Sequence, residues 1–327
     1  MNVNPLSGDY PFIRTVSSPL TSHMLRPLDP RCETVQFSEA LSPGDYVTLS
    51  EWMAQYPSVT LRAFGSYDGS IRDLDFLRHF PGLQRFSADA MYSSLQSLEG
   101  LGYLPASTTV LGIGQTKKKL SLKPLERFTA LRRLSLEGQT KDIGVISALT
   151  NLRSLTLRSI TLPDLSILQT LGRLRALDLK LGGTRDLTLL PTIGHLEYLE
   201  LWMVRGLHDL SPISGLEGLS YLFLESLKQV EKLPDFTRSA RLETVWLQNM
   251  KGLKDLAPLL AAPALRRLAL VEMAHLQAED VGILAGHPVL EAFRLGLGSE
   301  RKNNAARSLV ALPPGENWGK PDVFGGD

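Results

Sequence analysis

A chain of 327 residues that is 43% hydrophobic and 21% charged has a globular composition. No apolar run approaches the roughly 18 residues of a membrane span, so no membrane partner is expected. A net charge of +1 excludes a strong global field, and the single cysteine, Cys32, excludes an intramolecular disulfide.

Extracellular repeat proteins often carry several disulfides, and the N-terminus lacks a basic segment followed by an apolar one. The sequence therefore reads as cytoplasmic. Residues 1–58 read as an N-terminal extension and cap. Pro5, Pro11, Pro19, Pro27 and Pro30 make the first 31 residues irregular. Cys32-x-x-Val35-x-Phe37 then has the spacing of half a repeat strand. Thr48-Leu-Ser-Glu51 has the form of a capping box ahead of Trp52, Met53 and Tyr56, which predicts a short amphipathic helix there.

From residue 59 to 298 the chain repeats. A Leu-x-x-Leu-x-Leu core starts at 61, 83, 108, 131, 152, 174, 196, 219, 242, 265 and 290, at intervals of 21 to 25 residues. Clear copies are Leu152/Leu155/Leu157, Leu174/Leu177/Leu179, Leu196/Leu199/Leu201 and Leu219/Leu222/Leu224. Degraded ones are Leu61/Phe64/Ser66 and Leu83/Phe86/Ala88. One repeat cannot bury its leucines alone, but stacked neighbours share a continuous core. Leu155, Leu177, Leu199, Leu222 and Leu268 are accordingly expected to be fully buried.

About twelve residues after many starts comes a second element: Asp73-Leu-Asp-Phe-Leu77, Asp164-Leu-Ser-Ile-Leu168, Asp186-Leu-Thr-Leu-Leu190, Asp209-Leu-Ser-Pro-Ile213 and Asp255-Leu-Ala-Pro-Leu259. Each aspartate can accept bonds from free backbone N–H groups, and Pro212 and Pro258 fall in a first helical turn where a missing N–H is harmless. The predicted class is an α/β solenoid, a right-handed horseshoe or arc. Its concave face would be a parallel β-sheet of about eleven strands, and its convex face mostly 3-10 or short turns.

This pattern, x-L-x-x-L-x-L followed by D-L-S-P-L, resembles the short leucine-rich repeats of internalins and of the protein-phosphatase regulatory-subunit class, over roughly Val59 to Gly298. The resemblance implies a fold and says little about function. Those families usually place an asparagine after the last leucine; here Ile160, Val204 and Met250 stand there, so a less uniform strand-to-turn geometry is expected. Near the C-terminal end of the repeats, Ala278 to Ala285 reads as helical. Residues 299–327 read as a polar C-terminal tail or cap that Trp318 and Phe324 could pin.

No catalytic signature is present, and the chain is expected not to be an enzyme and to need no cofactor. Gly112-Ile-Gly-Gln-Thr-Lys117 lacks the following helix of a phosphate loop, since Ile113 and Leu120 are core positions. His23, His79, His195, His208, His275 and His287 fall at unlike phases, and none sits at metal-ligand spacing. Cys32 takes a core position and reads as a small hydrophobe.

Side chains alternate along a strand, so the third, fifth and seventh residues of each copy, counting its start as the first, face out. In the first copy these are Ala63, Gly65 and Tyr67. Later copies present Tyr198/Glu200/Trp202, Tyr221/Phe223/Glu225 and Thr244/Trp246/Gln248, followed by Arg267. Five aromatics among nine outward positions form the candidate anchor for a partner protein. Glu200 and Glu225 favour a partner that presents Arg or Lys. A second candidate is nucleic acid or another polyanion, because residues 117–185 hold fourteen Lys/Arg against five Asp/Glu, a local balance of +9. Its outward members are Arg133, Arg158 and Lys180.

Overall fold

The computed structural model describes residues 11–313, which divide into two compact units between Leu152 and Arg153. The first unit holds strands β1 (Ile13–Thr15), β2 (Thr34–Phe37), β3 (Thr60–Phe64), β4 (Arg85–Asp89), β5 (Val110–Ile113) and β6 (Arg133–Glu137), with helix α1 (Pro43–Met53) between β2 and β3. The second holds β7 (Ser154–Arg158), β8 (Ala176–Lys180), β9 (Tyr198–Trp202), β10 (Tyr221–Glu225), β11 (Thr244–Gln248), β12 (Arg267–Val271) and β13 (Ala292–Leu295). Helix α2 (Ala278–Gly282) precedes β13, and α3 (Glu300–Val310) follows it. Within each unit the strands run parallel in sequence order.

The leucine pattern sets the register. Leu155, Leu177, Leu199, Leu222, Val245 and Leu268 lie opposite one another on successive strands, all at 0% exposure. From β3 to β12 most strands return to the next through a thin layer of 3-10 turns, such as Asp75–His79, Ser211–Gly215 and Ala257–Ala261. The aspartates predicted to start these turns do so: Asp73, Asp164, Asp186, Asp209 and Asp255 each accept from the N–H two residues on, at 2.8 to 2.9 Å. The Ser166 and Thr188 hydroxyls, then these N–H bonds, hold the Asp164 and Asp186 carboxyls below the usual aspartate range, and the Ser211 N–H and hydroxyl do so for Asp209.

Several expectations need correction. The first 31 residues are not wholly irregular, since β1 pairs with β2. Helix α1 begins at Pro43, where the Ser42 hydroxyl accepts from the Asp45 N–H, so Thr48 to Glu51 lie inside the helix and do not cap it. In the first repeat Leu61, not Phe64, pairs with Phe86. That three-residue slip buries Ala63 at 0% exposure and turns Arg62 and Phe64 outward. There the Arg62 guanidinium forms a two-pronged pair with Asp89 and lies over the Phe64 ring.

Residues 300–310 form α3 in place of a polar tail. Asn303 accepts from the Leu297 N–H, Ala306 is fully buried, and the Pro313 carbonyl accepts from Phe293 N–H on the last strand. Trp318 and Phe324 lie outside the described residues.

The strand-to-turn geometry is uniform despite the missing asparagines. In the second unit the residue after each strand from β7 to β12 is left-handed. Ser159, Leu181, Met203, Ser226, Asn249 and Glu272 all have φ of 50 to 56°. Backbone bonds impose this: each of the first five donates its N–H to the last carbonyl of the next strand at 2.7 to 2.9 Å. Ile160, Val204 and Met250 then turn inward and are buried.

Candidate functional site

The outward columns of β7 to β12 make an open face, and its most N-terminal column is tightly tiled. Tyr198 and Tyr221 are 3% and 4% exposed, with rings stacked at 5.3 Å beside Ala176. The leucine phase does send both tyrosines to this face, but they are not exposed anchors. They cover the sheet, because neighbouring strands bring side chains within contact at every ladder step.

In the middle column lies a buried ionic network. Tyr198 donates its hydroxyl to Glu200 Oε2 at 2.5 Å. Lys180 Nζ bridges Asp178 Oδ1 at 3.1 Å and Glu200 Oε1 at 3.0 Å, while Thr156 Oγ1 donates to Asp178 Oδ2 at 3.0 Å. Asp178 and Glu200 are under a tenth exposed, so these bonds offset the penalty of taking two carboxylates out of water. Burial draws the Lys180 ammonium down, but Asp178 and Glu200 together outweigh it and hold its pKa above the ordinary lysine value. Burial and the surrounding carboxylates raise the Tyr198 phenol strongly. Tyr221 is pushed up to about 12 by burial and Glu200, against Arg267.

Beside this floor stand three half-buried rings. Phe223 and Trp246 stack at 5.9 Å, and Trp246 Nε1 donates to Gln248 Oε1 at 3.1 Å. Arg294 lies over the Trp246 ring and Arg158 over the Trp202 ring, at 5.2 and 5.4 Å. Glu225 sits between Trp202 and Gln248 on the ladder. Burial, then repulsion from Glu200 and Glu272, raises its carboxyl above the ordinary glutamate value, while Lys180 and the Trp202 side chain act against the rise. Arg267 is exposed, 3.7 Å from Glu243.

Of the predicted site, the structure thus brings Tyr198, Glu200, Trp202, Tyr221, Phe223, Glu225, Trp246 and Gln248 onto one face, with Arg267 at its rim. Asp178, Glu272 and Arg294 join them. Asp178 was legible as the ladder neighbour of Glu200. Glu272 carried no signal, because it lies one residue past its strand.

The predicted basic patch is not a free cationic surface. Lys180 is held by two carboxylates and Arg158 by an indole, while Arg133 lies on β6 of the first unit. Three histidines do backbone work: His208, His275 and His287 face the carbonyls of Gly206, Leu253 and Leu259 at 3.3, 2.6 and 3.2 Å. Among the described residues no group of three or more His, Cys, Asp or Glu is placed to hold a metal. No described helix is long and apolar enough to cross a membrane.

Parallel strands in sequence order, joined by 3-10 returns over a leucine core, define a leucine-rich-repeat solenoid. Among solved structures, an internalin (InlF) of Listeria monocytogenes is similar over 93% of this chain and 86% of its own, at 18% identity and a TM-score of 0.53. A leucine-rich-repeat protein of Leptospira interrogans covers 93% of this chain and 96% of its own at 15% identity and a TM-score of 0.44. Internalin C2 of Listeria monocytogenes covers 77% and 82% at 19% identity and a TM-score of 0.37. The InlF likeness establishes the fold alone. No protein-family model and no curated protein matches the chain.

Proposed function

We propose that the chain is a non-catalytic scaffold or regulator that binds another protein on the open, concave-side sheet face of its second unit. The observation that carries this reading is the group of half-buried rings on neighbouring strands, Trp202, Phe223 and Trp246, set beside Glu225 and Glu272. Tryptophans are among the residues that dominate binding hot spots. The adjoining carboxylates repel one another, and a partner's Arg or Lys would relieve that repulsion.

The two buried tyrosines serve as the platform beneath the anchor, and Arg267 lies at its rim. A reducing compartment such as the cytoplasm suits the single buried thiol, Cys32.

The test compares partners recovered by wild type and by a Phe223→Ala/Trp246→Ala variant of equal melting temperature. The variant should bind its partner at least about 30-fold more weakly, corresponding to about 2 kcal/mol. Equal recovery of the same partners would remove the face as the binding site.

A further inference from the structure

The first unit carries a separate surface. Tyr67 is 87% exposed and Tyr92 51% exposed. Each stands three residues beyond its strand: β3 ends at Phe64 and β4 at Asp89, and these end residues are ladder partners. The two tyrosines therefore follow the ends of neighbouring strands, on successive loops of the unit.

On the loop that follows β5, Lys117 donates its N–H to the Tyr92 carbonyl at 2.7 Å. Lys118 follows, and both lysines are exposed. Two exposed rings on successive loops are thus followed, on the third loop, by two exposed cations adjacent in the chain.

The Tyr67 ring is placed by its own backbone. It lies against Gly65, where a Cβ would come within 2.9 Å of a ring carbon, and the Gly65 φ of +74° is itself one that favours glycine. Asp68, the neighbouring acid, is tied into its turn by the Ser70 N–H and hydroxyl at 3.1 and 2.9 Å.

These rings do nothing for the core, and exposed aromatics of this size mark contact surfaces. We propose that this edge binds a single-stranded nucleic acid, with bases stacking on Tyr67 and Tyr92 and phosphates pairing with Lys117 and Lys118. Every base presents a planar face that a ring on each loop can take, and every nucleotide supplies a phosphate. An acidic protein segment would satisfy the lysines but leave the rings without planar partners. The charge excess of residues 117–185 also finds its outlet here, since Arg158 and Lys180 are engaged within the second unit.

The experiment is fluorescence anisotropy of the full chain with a labelled oligothymidylate of about 12 nucleotides, a length within known single-strand site sizes. Heparin and polyglutamate serve as competitors. Tyr67→Ala/Tyr92→Ala should weaken binding at least about tenfold with no change in melting temperature, since stacking contributes about 1–3 kcal/mol per base. Lys117→Ala/Lys118→Ala should flatten the dependence of log affinity on log salt by about 1.4, at roughly 0.7 per phosphate. Three outcomes overturn the proposal: no oligonucleotide binding at about 50 mM salt, binding indifferent to the tyrosine pair, or polyglutamate displacing the oligonucleotide at equal charge concentration.

Discussion

Removing the Lys180 ammonium tests the buried network of the sheet face directly. Its side chain is 14% exposed, and the two carboxylates it bridges are 11% and 5% exposed. Breaking a buried ion pair by deleting one partner costs about 3–5 kcal/mol, and the partial exposure of Lys180 places Lys180→Met near the lower end, about 3 kcal/mol. The loss should depend on pH. Without the ammonium, burial and mutual repulsion raise the Asp178 and Glu200 carboxyls.

An acid whose folded pKa is raised favours the fold at low pH, and that stability is lost as pH rises through the folded value. The deficit of Lys180→Met should therefore be small near about pH 4, where carboxyls take up protons, and full at neutral pH. Urea denaturation at both pH values measures it. The triple variant Asp178→Asn/Lys180→Met/Glu200→Gln should recover much of the loss, because neutral groups need no counter-ion. A deficit under about 1 kcal/mol, or one equal at both pH values, would refute the reasoning that ties this face to its charges.

Two further outcomes are expected. Leu199→Ala and Leu222→Ala, both fully buried, should each destabilise by about 2–5 kcal/mol; losses well under about 1 kcal/mol at both would mean that the inward register is wrong. Glu225 is held above its ordinary value of 4.5 by burial first and by Glu200 and Glu272 next, so its neutral form suits the fold. Its contribution is present below that value and lost as pH rises through the folded pKa. Glu225→Gln should raise the melting temperature at neutral pH and leave it little changed near about pH 4; an equal or opposite shift at neutral pH would refute this.

The leucine spacing made the core, the strand register from residue 83 onward and the aspartate-led turns legible, because each rests on local periodicity. The first repeat failed where the pattern is weakest. Phe64 could pass for a core residue only until the pairing of Leu61 with Phe86 fixed the phase. The helix α3 was hidden because its polar sequence offers few apolar positions, and its packing depends on Ala306, Val310 and the Asn303 bond to the Leu297 N–H.

At the site, phase identified which side chains face out, but it could not say which would be covered. Tyr198 and Tyr221 close over each other only because their strands are adjacent. Lys180 was read as part of a basic patch because its two carboxylate partners lie two residues away in sequence and on the neighbouring strand, and only the ladder brings all three together.

The left-handed residues that close the strands have a consequence for engineering. Leu181, Met203 and Glu272 hold a backbone conformation that an ordinary L-residue resists by about 1–2 kcal/mol, while asparagine accepts it with less strain. Asn249 already occupies one rung. Relieving that strain at Leu181 and Met203 should therefore raise thermostability, with some coupling between the two because they close neighbouring strands. Each of these rungs is a separate position on a separate repeat, and replacing Leu181 or Met203 by asparagine leaves the leucine core and the outward columns untouched, whereas Glu272 stays in place because it faces Glu225 and Gln248. An asparagine ladder could thus be installed one repeat at a time, making the chain a scaffold whose robustness can be tuned independently of whatever it binds.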